Sequence, residues 1–150
     1  MIKDLSIFFK KETLVMGGLG FSAGLPIMLV FSTLSVWLVK AGVERGTVTL
    51  FSWAGFAYSF KFLWSPIVDK FRLPILNQYG HRRSWLFFSQ ILIIISILLA
   101  SLSDPQKNLS FMAISIVLIA FSSATQDIII DAFRIESAPE KRQGPLASMY

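Results

Sequence analysis

The sequence predicts an all-α membrane protein with four transmembrane helices. Of its 150 residues, 54% are hydrophobic and only 15% are charged, whereas soluble domains carry about 25% charged residues. The apolar residues form four runs of roughly the 20 residues that a helix needs to cross a bilayer core. Because backbone groups in lipid must be hydrogen-bonded within their own segment, we expect each run to be a helix.

The first predicted span covers residues 13–38. At roughly 39 Å it must tilt or kink, and Pro26, which lacks an amide hydrogen, favours a kink. The run is also too long for the apolar part of a secretion signal, so we interpret it as a retained span. The remaining predicted segments are spans over residues 48–68, 85–102 and 109–130 and a cytoplasmic tail over residues 131–150.

The distribution of Lys and Arg predicts that both termini are cytoplasmic. With the N-terminus inside, ten of these residues fall on the inner side and three on the outer side, and only Lys61 lies within a span. This is the bias of the positive-inside rule. The basic residues form no stripe with base-stacking aromatic residues, so the net charge of +5 does not indicate nucleic-acid binding. The chain has no cysteine, which excludes disulfides and thiolate metal sites.

Ionisable and small residues inside the spans are the candidate functional residues. Lys61 lies seven residues before Val68, so its ammonium group either reaches the inner interface or faces a pore. Gly17, Gly20 and Gly24 form a stripe of small residues along the first span. This stripe indicates either close helix packing or a flexible helix that lines a cavity.

The end of the fourth span carries a polar cluster. Asp127, Asp131 and Arg134 are spaced i, i+4 and i+7, so they share one helical face. Two carboxylates in a region of low dielectric would hold a proton or pair with a cation, and Arg134 is one available cation. Either the helix ends here in water and the charges are solvated, or Gln126 and Asp127 lie along a transport path. An acid that exchanges a proton for a cation suits proton-driven transport.

The sequence does not indicate an enzyme. No nucleophile with a base and no set of metal ligands appears in or near the spans, and the single histidine, His81, lies in a basic loop. We therefore expect no catalytic residues, no metal and no cofactor.

Three stretches in order, "FSAGLP", "KFLWSPIVDK" with "HRRSW", and "ATQDIIIDAFRIE", resemble the muropeptide permeases (AmpG family) of the major facilitator superfamily. The resemblance implies the first part of an N-terminal six-helix domain in a twelve-span fold. It also implies proton-driven import of anhydro-muropeptides across the bacterial inner membrane during cell-wall recycling. The acetyl-CoA transporters share a similar "QD…D" feature, so an acetyl-CoA-type substrate is the alternative.

The resemblance also implies roles for individual residues. The implied cytoplasmic gate comprises the acid Asp69 and the basic residues Arg82, Arg83 and Arg134. The implied substrate and proton pathway comprises Gly24, Lys61, Ala124, Gln126, Asp127 and Asp131. Asp69 and Gly80 are separated by a longer insert than the general superfamily motif contains. Such an insert resembles that of the muropeptide permeases.

Four spans cannot form one complete six-helix half of such a transporter. We therefore expect the chain to be a truncated permease, or to need a second chain that supplies the missing helices, and not to transport muropeptides alone. An inactive or structural membrane subunit is a further alternative. A small four-span exporter is disfavoured, because such a protein should carry a carboxylate in its first span and residues 13–38 contain none.

Overall fold

The computed structural model describes residues 11–74 and 80–137, together with residues 144, 147 and 148. Most of the described residues are helical, and none of them forms a strand. The α-helices are, in chain order, α1 (Lys11–Met28), α2 (Leu34–Lys40), α3 (Arg45–Phe51), α4 (Phe56–Ser59), α5 (Ser65–Lys70), α6 (His81–Leu102) and α7 (Leu109–Ser137). The all-helical prediction is therefore confirmed over this part of the chain.

Three helices among the described residues are long and apolar enough to cross a membrane: Thr13–Lys40, His81–Leu102 and Leu109–Ser137. The four predicted spans are therefore not confirmed as four helices. α6 begins at His81, four residues before the predicted boundary, and α7 continues to Ser137, seven residues beyond the predicted end of the fourth span.

The first of these helices is irregular close to Pro26, where the sequence predicted a kink. Pro26 lies inside α1, and a π-helical segment, Leu29–Thr33, connects α1 to α2. A proline removes one hydrogen bond from the helix ladder, and a π-helical turn is a common way to absorb such an irregularity. The helix therefore changes its hydrogen-bond pattern near its middle but continues to Lys40.

The second predicted span is not a single helix. We call residues 45–70, from α3 to α5, the discontinuous segment, because 3₁₀ turns over Ser52–Gly55 and Lys61–Leu63 interrupt it. Phe60 (φ −96°, ψ 7°) and Trp64 (φ −109°, ψ −3°) leave the ideal helical region. Pro66 follows at the start of α5, where its missing amide hydrogen costs no hydrogen bond. Hydropathy alone does not report these backbone changes, which is why the sequence predicted one helix.

The turn after α2 lies at the same end of the molecule as the loop between α6 and α7. Gly42 ends α2 with a positive φ of 79°, and the amide of Val43 donates to the carbonyl of Leu38 at 3.0 Å. This is the hydrogen-bond pattern with which glycine commonly terminates a helix. Across the gap, the Gln106 side-chain amide donates to the carbonyl of Ala41 at 2.6 Å.

α7 is the central helix of the described fold. In the apolar 18-residue stretch that could cross a membrane, 67% of α7 is buried inside the structure, against 28% for the first long helix and 22% for α6. It packs against α6, against α1 and against the discontinuous segment. The main apolar cluster joins Val30, Leu34 and Leu38 of the first long helix to Met112, Ile116 and Ile119 of α7. Polar residues on α7 consequently lie between helices.

Candidate transport site

Residues 122–126 of α7 have small or polar side chains and pack against the neighbouring helices. Ala124 is fully buried and Gln126 is 1% exposed. The Gln126 side-chain amide donates to the hydroxyl of Ser22 on α1 at 2.9 Å. Small side chains let helices approach closely, and a buried amide needs such a partner. The structure thus places Ala124 and Gln126 at the contact between α7 and its neighbours.

Thr125 connects α7 to the discontinuous segment. Its hydroxyl donates to the carbonyl of Phe121 at 2.8 Å and accepts a hydrogen bond from the indole nitrogen of Trp64 at 3.2 Å. The rings of Trp64 and Phe121 pack with their centroids 4.7 Å apart. These contacts fix Trp64, which follows the second 3₁₀ turn, against the middle of α7.

Lys61 lies at the second interruption of the discontinuous segment and points towards α7. Its ammonium group donates to Oδ2 of Asp127 and to Oδ2 of Asp131, the latter at 3.1 Å. The exposed side-chain fractions are 30% for Lys61, 19% for Asp127 and 34% for Asp131. One lysine therefore bridges two carboxylates that lie one helical turn apart, and it makes this contact instead of extending alone to the interface.

Arg134 completes what we call the ion cluster, which comprises Lys61, Asp127, Asp131 and Arg134. Its Nη2 lies 3.4 Å from Oδ1 of Asp131. The sequence offered Arg134 as the cation for the two carboxylates, and the structure adds Lys61 from a different element. With all four groups ionised, the cluster is electrically neutral. Within residues 11–74 and 80–137, no three His, Asp or Glu side chains are arranged to hold a metal ion.

Two hydroxyl groups lie beside the ion cluster. The buried hydroxyl oxygen of Tyr58 lies close to Ser123 and interacts electrostatically with Asp127. Ser123 lies on the same helical face as Asp127, one turn before it, whereas the sequence gave no reason to select Tyr58. The only pattern around Tyr58 is an aromatic-rich apolar run, so its position next to Asp127 depends on tertiary packing.

Gly24 and Gly55 differ in what surrounds them. A Cβ atom built on Gly24 would meet no atom within 4 Å, so this residue mediates no close helix contact among the described residues. A Cβ atom on Gly55 would lie 2.5 Å from the ring of Phe31. The ring of Phe31 on the first long helix would therefore have to move to admit a larger residue than Gly55, which the sequence did not single out.

The structure brings together only two of the four residues of the predicted cytoplasmic gate, Asp69 and Arg82. Nη1 of Arg82 donates to Asp69 at 2.5 Å, and its Nη2 donates to Glu136 at 2.7 Å. We call this contact the Arg82 bridge; it joins the end of α5, the start of α6 and the end of α7. Arg134 belongs to the ion cluster, and Arg83 is exposed and forms no ion pair with the rest of the described chain.

Glu136 was missed as a partner of Arg82. Its spacing of nine residues from Asp127 and five from Asp131 sets it on a different face of α7 from both. That spacing cannot show which residue of another helix it meets. An acidic residue near the end of a helix that neighbours a basic loop was the one available signal.

Comparison with known proteins places this architecture in a family. Residues 13–144 match the family described as acetyl-coenzyme A transporter 1. The anhydromuropeptide permease of Escherichia coli (strain K12) is 38% identical over 145 residues, which are 97% of this chain and 29% of that protein. The protein named AmpG 4 of Rickettsia felis is 38% identical over 125 residues, 83% of this chain and 30% of that protein. No solved structure matches the chain.

The chain thus spans less than a third of the length of these curated relatives. The match over 132 of its 150 residues, from 13 to 144, covers the three long helices, the ion cluster and the Arg82 bridge. The resemblance to AmpG-type permeases that the sequence motifs carried is confirmed by these relatives, which are named as transporters or permeases. The chain is a membrane protein that belongs to the acetyl-coenzyme A transporter 1 family.

Proposed function

We propose that this chain forms the part of a proton-driven permease that carries the proton-coupling carboxylates, and that the permease imports anhydro-muropeptides across the bacterial inner membrane for cell-wall recycling. The observation that carries the proposal is the ion cluster. Lys61 meets Asp127 and Asp131 between two elements of an apolar helical protein. Ionisable groups inside membrane helices are costly and mark substrate or proton pathways.

The interrupted backbone around Lys61 supports the same proposal. Non-helical backbone at membrane depth is tolerated only where it is covered by protein or lines a water-filled cavity. Phe60 and Lys61 lie at such an interruption, and the side chain of Lys61 is 30% exposed. An aqueous cavity on this side would give both the proton and the substrate access to the ion cluster.

We further propose four crossings with both termini in the cytoplasm, the discontinuous segment being the second crossing. The Gln106–Ala41 contact joins one pair of loops at one end, and the Arg82 bridge joins helix ends at the other. The discontinuous segment runs between these two ends. A single cysteine introduced at Lys107 should react with an impermeant maleimide added outside intact cells, and one at Arg72 should not. The reverse labelling pattern would exclude this orientation.

The transport proposal is tested on the natural protein that contains this chain. Reconstituted in proteoliposomes, it should take up labelled anhydro-muropeptide when a proton gradient is imposed. The initial rate of uptake should be at least about tenfold lower in the Asp127→Asn variant, because the variant lacks the titrating carboxylate. Lys107→Gln, a substitution of an exposed loop cation, is the matched control. Uptake that does not depend on the gradient would contradict proton coupling.

Acetyl-CoA is the second candidate substrate, because the matching family is described by that compound. The same vesicles should be offered labelled acetyl-CoA at equal concentration. Uptake of acetyl-CoA without uptake of muropeptide would assign the alternative. Failure to move either compound would favour an inactive or structural membrane subunit.

A further inference from the structure

A cavity of about 240 Å³ with aromatic walls lies between α5, α6 and α7, and no residue of the ion cluster lines it. We infer that this cavity binds an acyl chain of an anionic phospholipid, whose phosphate group lies between Lys70 and Arg72. The inference concerns a lipid of the surrounding membrane and does not depend on which compound the protein transports.

Two pairs of aromatic rings form much of the cavity wall. The rings of Trp64 and Phe121 lie with their centroids 4.7 Å apart, and Trp85 meets Phe88 edge to face at 5.8 Å. The wall exposes no polar surface. A ligand therefore binds here through the burial of apolar surface, which is what a hydrocarbon chain offers.

Polar side chains at the cavity use their polar atoms inside the protein. The indole nitrogen of Trp64 donates to the hydroxyl of Thr125 at 3.2 Å, and the hydroxyl of Ser89 donates to the carbonyl of Leu86 at 2.9 Å. A sugar or a peptide would lose its hydrogen bonds to water here without regaining them, which is costly. An acyl chain has no such requirement.

The chain that leaves α5 marks one end of the cavity. The indole nitrogen of Trp85 donates to the carbonyl of Phe71 at 2.8 Å, and Lys70 and Arg72 flank Phe71 in the sequence. Lys70 also lies three residues after the lining residue Ile67, on the same face of α5. The two cations are therefore at the end of the cavity where the headgroup of a bound lipid would lie.

The charges at this end favour an anionic headgroup. Lys70 and Arg72 are exposed, and neither forms an ion pair with the residues that the structure describes. The neighbouring acid, Asp69, is held by Arg82 at 2.5 Å. Basic residues beside membrane helices bind anionic lipid headgroups. An apolar helix from elsewhere in the natural protein would fill the cavity but would leave both cations without an anion.

The first test compares ligands that differ in one part only, on the natural protein that contains this chain, purified in detergent. The probes are dioleoylphosphatidylglycerol, the zwitterionic dioleoylphosphatidylcholine with the same acyl chains, and glycerol 3-phosphate, which has a phosphate and no chain. Native mass spectrometry counts the bound lipid. We expect phosphatidylglycerol to bind at roughly tenfold lower concentration than phosphatidylcholine, and glycerol 3-phosphate not to displace it.

The second test locates the acyl chain. In nanodiscs of phosphatidylcholine, a small fraction of the lipid carries bromine on its acyl chain, which quenches tryptophan fluorescence on contact. Trp64 and Trp85 line the cavity. Brominated phosphatidylglycerol should therefore quench more strongly than brominated phosphatidylcholine, and this difference should disappear in the variant Trp64→Phe/Trp85→Phe.

Two variants of equal charge separate a specific site from general attraction to anionic lipid. Lys70→Gln/Arg72→Gln should lose the preference for phosphatidylglycerol in both tests. Lys40→Gln/Arg45→Gln removes two exposed cations beside the turn at Gly42 and should keep it. Elution volume and melting temperature show whether each variant is folded.

Four results would each overturn the inference. Equal binding of the two lipids would exclude recognition of the anionic headgroup, and an equal loss of preference in both charge variants would exclude a specific site. Displacement of the lipid by glycerol 3-phosphate would indicate a phosphate site that needs no chain. Equal quenching by the two brominated lipids would place the chain elsewhere, as expected if a helix of the natural protein fills the cavity.

Discussion

Removal of the Lys61 charge should destabilise the protein, and restoring neutrality at Asp127 should recover part of the loss. In Lys61→Met, Asp127 loses the cation that it contacts, while Asp131 keeps Arg134. The methionine preserves most of the side-chain volume, so lost charge and not lost packing dominates the effect. In the double variant Lys61→Met/Asp127→Asn, the Asp127 carboxylate, which no longer contacts Lys61, is replaced by a neutral amide of the same shape.

The expected size follows from the exposure of the groups. Breaking a fully buried ion pair costs about 3–5 kcal/mol, whereas an exposed pair contributes about 0–1 kcal/mol. The side chains of Lys61 and Asp127 are 30% and 19% exposed, so we expect a loss of about 2 kcal/mol in Lys61→Met. The double variant should recover about 1 kcal/mol of that loss. The coupling between the two residues, which a double-mutant cycle measures, is this recovery plus the cost of Asp127→Asn alone.

The assay is reversible unfolding of the purified protein in detergent, followed by tryptophan fluorescence. Lys107→Met is the matched control, because its side chain is 85% exposed and pairs only with the loop residue Asp104 in the described chain; it should change stability by less than about 0.5 kcal/mol. Additive effects of Lys61→Met and Asp127→Asn would refute the reasoning, since additivity means that the two residues do not interact.

Three further predictions concern the surroundings of the cluster. Arg82→Lys should weaken the contact with Glu136 by about 1 kcal/mol, because lysine cannot form the two-pronged hydrogen bond of arginine; a cysteine crosslink between α6 and α7 near the Arg82 bridge should then form less efficiently. Gly55→Val should lower the melting temperature and shift the ring of Phe31, seen as altered ring NMR signals, because the added side chain enters the space of the ring. Trp64→Phe removes one indole hydrogen bond and should cost about 1 kcal/mol in the same unfolding assay.

The helical architecture could be predicted from the sequence because it depends on a property that is additive along the chain. Apolar runs long enough to cross a bilayer are recognisable without any knowledge of their neighbours, and the runs predicted over residues 13–38, 85–102 and 109–130 lie within the long helices Thr13–Lys40, His81–Leu102 and Leu109–Ser137. The discontinuous segment has a comparable run. Its interruptions at Phe60 and Trp64 depend on backbone angles and on packing against α7, which hydropathy does not measure.

The candidate site could be predicted only within each helix. Spacing placed Asp127 and Asp131 on one face, and the structure shows both on the face that meets Lys61. The partner of the pair lies 66 residues earlier in the chain, and a single sequence gives no sign of which distant residues meet. Tyr58 and Glu136 were missed for the same reason, since their roles follow from contacts between helices.

For the proposed second crossing, the ion cluster also bears on how the discontinuous segment would enter the membrane. A lysine at the centre of a lone helix costs about 3 kcal/mol of insertion free energy, and an interrupted helix exposes backbone groups to lipid as well. Both costs fall once α7 is in place, because Asp127 and Asp131 neutralise Lys61 and Thr125 receives the indole hydrogen bond of Trp64. Residues 45–70 therefore depend on a helix that is made after them. Stable insertion of this segment should require the carboxylates of α7, and replacing both with asparagine should leave it accessible to impermeant labels in newly made chains.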